Sequence, residues 1–531
     1  MKATFKPLGL AAAVAAVTAG YAGVTQAQAE LANNSLGDLG IIPYYTTAGS
    51  FVTGVHIINT DSVNTQVVKL RMRRGSDSMD ALDFNLILSP NDEWTGFIND
   101  DADGTIVFAT DDNSCTAPIL PNGRAEMPGL YAEGAGQGYL EVIGMASAGP
   151  GEPISIGALH GSDGVPFDCQ AVESNFFRNA TLTPLPYSAT GSKGVLAANL
   201  SAQTCTDAIF AASGGGFGAN CSAASTAVLE NNYGDTDNVL KVSFFHRDAD
   251  SGLEFGNSAV HLQNFSDAAM MSNQEINVVG SLDGYGYLFP DLNGGSPVDP
   301  LNPRDRFTFV REALGANTII NDWSVAAARN VSTDWVVTLP GQYVMLDLLT
   351  YTISLFDPDV SCLTKEQADA SPALAPNNDQ FYCDERDLPV NLFIDVYDRE
   401  EQTFSNPDSG LVISPNISNA PGQDVLENEV TVIQWTDGSI EPVLPSEYAR
   451  KYDVSALGAE SGWASLRVTS ATGKTQGIYD YVDSAAAGYA VFDSIVNPAV
   501  PIVGFVAWER SFPSDPSANY GRIVEHSYES N

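Results

Sequence analysis

Basic charge is what this sequence has least of. Its 531 residues carry 24 Lys and Arg against 65 Asp and Glu, a formal net charge of −41. Binding along a phosphate backbone needs a dense basic patch, so nucleic acid is excluded as a partner. Histidine is scarce too: there are five, His56, His160, His246, His261 and His526, and no two stand at i, i+2 or i, i+4. A zinc-protease helix of the H-E-x-x-H type is thereby excluded, and isolated histidines on strands read as packed or hydrogen-bonded residues. No G-x-S-x-G is present; the nearest string, Gly161-Ser162-Asp163-Gly164, reads as a turn. No C-x-x-C is present, which leaves a zinc ribbon or thioredoxin-type pair without support. The cluster Gly134-Ala135-Gly136-Gln137-Gly138 leads into a strand, whereas a phosphate loop must lead into a helix. Past the N-terminus, the longest apolar stretch, Tyr489 to Trp508, is broken by Asp493, Asn497, Pro498 and Pro501, so no helix spans a membrane. Long amphipathic helices are missing as well.

What is present begins with an export signal. Lys2 and Lys6 precede an Ala-rich apolar stretch from Leu8 to Ala19, and Ala27-Gln28-Ala29 offers small residues for cleavage. This is a secretory signal peptide over residues 1–29, with the mature chain starting at Glu30 outside the cytoplasm. The six cysteines all lie downstream, as expected of disulfides in an exported chain. Short loops close readily, so the expected pairs are Cys205 with Cys221, Cys362 with Cys383, and Cys115 with Cys169.

Period-two alternation dominates, most clearly in Val68-Lys69-Leu70-Arg71-Met72-Arg73. Further strands are expected over Leu82–Leu88, Trp94–Ile98, Thr105–Ala109, Tyr139–Ile143, Val239–Phe245, Trp335–Leu339, Leu348–Leu355, Val390–Val396, Glu429–Gln434 and Trp463–Val468. Short helices are expected at Phe307–Leu314 and Glu447–Tyr452. Many short strands between Gly, Pro, Asn and Asp turns make an all-β chain of two or more β-sandwich, immunoglobulin-like domains with long loops and few short helices. The loop-rich stretches suggest an N-terminal sandwich over 30–190, a β-rich middle with loop insertions over 191–360, and a β-rich C-terminal region over 361–531.

Three features invite chemistry. Asn99, Asp101 and Asp103 occupy positions 1, 3 and 5 of an acidic loop with Gly104 at position 6, a calcium-type spacing. Position 12 is Thr110 rather than Glu, so calcium would bind weakly, and a solvated acidic hairpin turn is the simpler reading. Tyr44, Tyr45, Trp94, Trp323, Trp435 and Trp463 are either core or a surface for sugars and proteins, with core favoured by their place in strands. Lys69, Arg71, Arg73 and Arg74 are either a docking face or, more simply, a solvated strand face guarded against edge pairing. Paired carboxylates for polymer hydrolysis are not fixed by sequence, because the acidic residues supply pairs at every spacing.

Several islands resemble an uncharacterised family of exported proteobacterial proteins: Ile41-Ile42-Pro43-Tyr44-Tyr45, Trp94-Thr95-Gly96, Asn113-Ser114-Cys115-Thr116, Thr333-Asp334-Trp335-Val336-Val337-Thr338 and Tyr397-Asp398-Arg399-Glu400-Glu401. The resemblance implies a cell-surface or extracellular setting and brings no known activity. The expected function is a non-catalytic surface or matrix protein whose partners are cell-surface or matrix components or copies of itself. The alternative is a secreted calcium-dependent hydrolase or carbohydrate-binding protein acting on a polymer.

Overall fold

In a computed structural model, residues 29–101, 103–127, 132–173, 176, 233–267, 269–271, 290–292, 294, 307–341, 390–401, 423–470, 476–480, 491–495 and 500–529 are described. Apolar alternation along the first half produces β1 (Glu30–Leu31), β2 (Leu39–Thr46), β3 (Phe51–Asn59), β4 (Thr65–Arg74), β5 (Asp80–Leu88), β6 (Glu93–Asp100), β7 (Ile106–Ala109), β8 (Cys115–Ala117), β9 (Arg124–Glu126), β10 (Gln137–Ala148), β11 (Tyr233–Gly234), β12 (Leu240–Asp248), β13 (Glu254–Ser258) and β14 (Val260–Gln263). They form two sheets. One runs β1-β14-β2-β10-β4-β5-β8 with β11 beside β10, and the other runs β13-β12-β3-β6-β7-β9. Helices α1 (Pro153–Ala158) and α2 (Cys169–Glu173) cover one end of the first sheet over Val67, Ile87 and Met145.

The helix expected at Phe307–Leu314 is present as α3, with Val310 buried. Beyond it come β15 (Gly315–Ala316), β16 (Thr318–Ala326), β17 (Val331–Thr338), β18 (Val390–Asp398), β19 (Gln423–Leu426), β20 (Val430–Thr436), β21 (Ala449–Asp453), β22 (Ser461–Ser470), β23 (Gln476–Asp480), β24 (Val491–Ile495), β25 (Val500–Pro501), β26 (Val503–Arg510), β27 (Tyr520–Glu525) and β28 (Ser527–Glu529). The large sheet runs β19-β18-β22-β16-β17-β20-β21, with β26 and β27 added beside β17 and β28 beside β16. Because β16 leaves β22 to pair with β17, this sheet folds over a second core of Trp323, Trp335, Trp435, Leu392 and Leu466. The expectation of an all-β chain with several packed sheets and few short helices holds.

Two local expectations change. Glu447–Tyr452 was expected to be helical, but Ala449–Asp453 is a strand parallel to β20. Burial decides it: Tyr452 lies against Trp435 at 5.7 Å and donates its hydroxyl to Asp424 Oδ2 at 2.9 Å. Strand pairing also crosses both expected boundaries, since β11–β14 complete the sheets begun before residue 190, and β16 pairs with β22 across residue 360. Turn-rich composition marks insertions between paired strands as readily as it marks domain borders. The strand expected at 348–355 lies outside the described residues.

The two halves share one core. Tyr44 of β2, Phe244 and His246 of β12 and Phe505 of β26 belong to a single aromatic nest, with His246 and Phe505 stacked at 6.0 Å. Proline in the middle of β2 has its place in this junction. Pairing between β2 and β10 slips around Tyr139, so Pro43 sits where the ladder asks for no donor. Its carbonyl accepts Thr338 Oγ1 at 2.6 Å from the other half. Gly138 is required at the same irregularity, because a Cβ there would stand 1.8 Å from the Arg73 carbonyl oxygen.

Cys115 and Cys169 form a disulfide, as expected, joining β8 to α2. Closing a loop with a sequence separation of 54 stabilises the fold by about 4 kcal/mol in the chain-entropy treatment. Cys205, Cys221, Cys362 and Cys383 lie outside the described residues, as do residues 1–28 of the expected signal peptide. Among the described residues no helix is long and apolar enough to cross a membrane.

Candidate binding groove

The acidic loop is the turn of the β6–β7 hairpin. Asp101 N donates to Thr105 O at 2.9 Å, Gly104 N donates to Asp101 O at 2.8 Å, and Gly104 adopts φ +82°. Asp101 is engaged by Arg124 Nη2, Asp103 Oδ1 accepts from Thr105 N at 3.1 Å, and Asn99 Nδ2 donates to the Asp100 carbonyl. Among the described residues no group of three or more His, Cys, Asp or Glu is placed to hold a metal ion. The contacts seen are those of a hairpin turn.

The basic strand differs from its simpler expectation. β4 is interior, between β10 and β5, and both of its faces are buried. Val68, Leu70 and Met72 enter the apolar core, while Lys69, Arg71 and Arg73 form a buried ionic ladder instead of a solvated face. Lys69 Nζ is 3.4 Å from Asp83 Oδ1, Arg71 pairs with Asp80, and Arg73 lies 3.1 Å from Glu141. Arg71 also donates to the Pro290 carbonyl at 2.9 Å. The acidic partners come from β5 and β10, each diagonal to its basic residue on the neighbouring strand, which is why the sheet tolerates charge inside. Burial pushes the Lys69 amine down to about 8 and the Asp83 carboxyl up to about 6.

Ser89, Asp92 and His160 approach one another without forming a hydrolytic triad. Ser89 Oγ and Asp92 Oδ2 both sit near the same ring nitrogen, Nδ1, at 3.2 and 3.7 Å, while Nε2 meets Asn113 Oδ1 at 3.0 Å. A triad requires nucleophile and carboxylate on opposite nitrogens. Here Ser89 N and Oγ both donate to Asp92 Oδ2, closing the β5–β6 turn. The Gly161–Gly164 string is a turn, as expected, with Gly164 N donating to Gly161 O. His246, His261 and His526 are buried, and desolvation lowers their pKa values to about 3, 4 and 4.

Of the six flagged aromatics, Tyr44, Tyr45, Trp94, Trp323 and Trp435 are core, and Trp463 is 38% exposed. Alternation explains the exception: Ala464, Leu466 and Val468 of β22 point into the second core, which leaves Trp463 outward. It stacks on Tyr397, its cross-strand partner on β18, with ring centroids 4.2 Å apart and planes 14° from parallel.

This stack borders a groove of about 460 Å³ at the corner where β16 passes from β22 to β17. One side is formed by Asn321–Ser324 and Ser461–Trp463, the other by Val506, Trp508, Arg522 and Val524, with Ala326, Arg329, Val331, Thr333 and Arg399 completing the lining. Arg522 is cross-strand from Trp508 and sets its guanidinium 4.7 Å from the ring centre. Arg329 pairs with Glu460 at 2.5 Å. Arg399 is exposed on the turn after β18 and has no ion pair among the described residues. The corner is braced from beneath, since Trp323 Nε1 donates to the Tyr397 carbonyl and Trp335 Nε1 to the Asp322 carbonyl. The volume falls in the range of about 300–1,000 Å³ usual for ligand sites. Flat rings offer stacking, and arginine forks offer paired donors to planar oxygen groups.

Comparison with family models, curated proteins and solved structures finds no match to the chain. The groove is therefore read from its residues. Trp463 was flagged in the sequence, and Arg399 lies in one of the islands that carry the resemblance; Arg329, Trp508 and Arg522 were not singled out, because the corner of the sheet brings together positions nearly two hundred residues apart.

Proposed function

We propose that this is an exported, non-catalytic protein of the cell surface or extracellular matrix, and that it holds a partner polymer at the corner groove. The observation that carries the reading is the solvent-facing Tyr397–Trp463 stack beside a braced groove, where every other flagged aromatic is buried. A disulfide in the first half fits an oxidising compartment. The N-terminal Lys2, Lys6 and Ala27-Gln28-Ala29 pattern supports export. Among the described residues, the carboxylates with raised pKa, Asp83, Asp92, Asp237, Asp334 and Glu509, line neither the corner groove nor the groove between the halves. The reading is tested by fractionating cells and then measuring binding of the purified protein to envelope and matrix preparations. The expected result is recovery outside the cytoplasm and about tenfold weaker binding by Trp463→Ala. Retention in the cytosol, or equal binding by the variant, would overturn it.

A second reading, hydrolysis, has one observation in its favour. A groove of about 500 Å³ between the halves is lined by both Asp100 and Glu447. A polymer-degrading activity abolished by Asp100→Asn or Glu447→Gln, with the fold intact, would replace the non-catalytic reading.

A further inference from the structure

We infer that the ligand of the corner groove is an acidic saccharide, a carboxylate-bearing glycan segment whose sugar faces lie against Trp463 and Trp508 and whose acid groups meet Arg522 and Arg399. This rests on the binding role proposed for the groove and names the chemistry of what it binds.

Sixteen residues line the groove, and at the chain-wide frequency of 24 basic residues in 531 fewer than one would be basic; three are, Arg329, Arg399 and Arg522, against one carboxylate, Asp322. All three are arginine, whose planar fork matches a carboxylate in a way that lysine does not. Elsewhere Lys69, Arg71, Arg73, Arg74, Arg124, Arg450 and Arg467 each meet a carboxylate, while Lys241, Arg247, Arg311, Lys451 and Arg510 make no ion pair among the described residues. Arg399 and Arg522 make no such pair among the described residues, even though acidic residues outnumber basic ones by 65 to 24. What sets Arg399 and Arg522 apart is that both line one groove, where a single acid-bearing ligand from outside can reach them together.

Geometry supplies the rest. Arg522 lies over Trp508, a cation–π contact that engages the guanidinium without using its N–H groups as donors to a carboxylate. Trp463 offers a second flat face, held by its stack on Tyr397. Rings for sugar faces and forks for carboxylates thus stand around one space. The overall charge of −41 repels polyanions at long range, which favours a ligand with one charge per sugar over a denser polymer such as nucleic acid.

The test titrates the full mature chain, from Glu30, with uronic-acid oligosaccharides, neutral hexose oligosaccharides of equal length and a poly-glutamate peptide, following tryptophan fluorescence and heat. The uronate series is expected to bind at least about tenfold more tightly than the neutral series and to weaken as salt rises. Arg399→Ala/Arg522→Ala should lose that preference while retaining neutral-sugar binding, and Arg522→Lys should fall between them. Trp463→Ala should weaken both series. Melting curves of each variant guard against misfolding. Equal binding of acidic and neutral sugars, unaffected by the arginine variants, would overturn the acidic ligand and leave the groove a sugar site. Binding of poly-glutamate as tight as the uronate series would replace the glycan with an acidic peptide. Binding of no probe by a folded wild type would remove both this inference and the groove's proposed role.

Discussion

The two halves of the molecule treat arginine in opposite ways. On β4 in the first half, Arg71 and Arg73 are buried and each faces an internal carboxylate. At the corner groove in the second half, Arg399 and Arg522 are exposed, one without an ion pair among the described residues and the other resting on a tryptophan ring. The same side chain is structural in one setting and available in the other. What separates the settings is strand position: β4 has neighbours on both edges and cover on both faces, whereas Arg399 stands on the turn after β18 and Arg522 on β27, which pairs only with β26 among the described strands. In so acidic a chain, the location of a basic residue says more than its presence.

The largest expected effect tests the interior side of that contrast. Arg73 faces Glu141 through two contacts, with Nε 3.1 Å from Oε1 and Nη2 donating to Oε2 at 3.1 Å. Arg73→Met should leave Glu141 charged and buried, costing about 3–5 kcal/mol in chemical denaturation. Arg73→Met/Glu141→Gln should recover much of that loss, because the cost belongs to the orphaned charge. If the single variant loses less than about 1 kcal/mol, the ladder is not the structural element described for β4.

Much of the fold was legible in the sequence because alternation has a direct physical cause. A strand with one buried face must place apolar residues at every second position, and the expected strands at Val68–Arg73, Leu82–Leu88, Tyr139–Ile143 and Val390–Val396 all lie within β4, β5, β10 and β18. The same rule misread what β4 does with its charges. Alternation of Val, Leu and Met with Lys and Arg gives the same pattern whether the polar face meets water or meets Asp83, Asp80 and Glu141 across the sheet. Sequence shows the period but not the neighbour. The parallel strand β21 was hidden for a related reason, since Tyr452 is fixed by Trp435 and Asp424, both remote from the local pattern. The groove was the least legible part. Trp463 carried a signal, but its arginines are assembled from β16–β17, β18 and β27 by sheet pairing alone.

The junction between the halves sets an intermediate effect, read through pH. His246 lies in the shared core among Tyr44, Phe244, Phe255 and Phe505, and its Nδ1 is 3.2 Å from Thr53 Oγ1. Burial lowers its pKa from 6.5 to about 3, so between those values the unfolded chain binds a proton that the folded chain refuses. Stability from this group is complete above pH 6.5 and is lost as pH falls toward 3. His261 and His526, each lowered to about 4, act in the same direction. Thermal melts should therefore show a midpoint that declines below pH 6.5, and His246→Phe should decline less steeply than wild type. Thr53 Oγ1 still donates to the Thr46 carbonyl in that variant, so no buried hydroxyl is stranded. Parallel pH curves for the two proteins would show that the junction does not couple to this proton.

The smallest expected effect closes the contrast from its exposed side. Arg399 projects from a turn and makes no ion pair among the described residues, so Arg399→Ala removes little that the fold uses. Its unfolding free energy should stay within about 0.5 kcal/mol of wild type. Arg522→Ala removes a cation from the face of Trp508, a contact worth about 0.5–1 kcal/mol at an exposed site, and should lie slightly lower. Both fall well short of the loss expected for Arg73→Met, although each substitution removes one guanidinium. Denaturant curves of the three variants, measured side by side at one pH and salt concentration, make the comparison directly. A loss above about 2 kcal/mol for Arg399→Ala would mean that the fold depends on this charge, and the distinction between structural and available arginines would fail at the groove where it matters most.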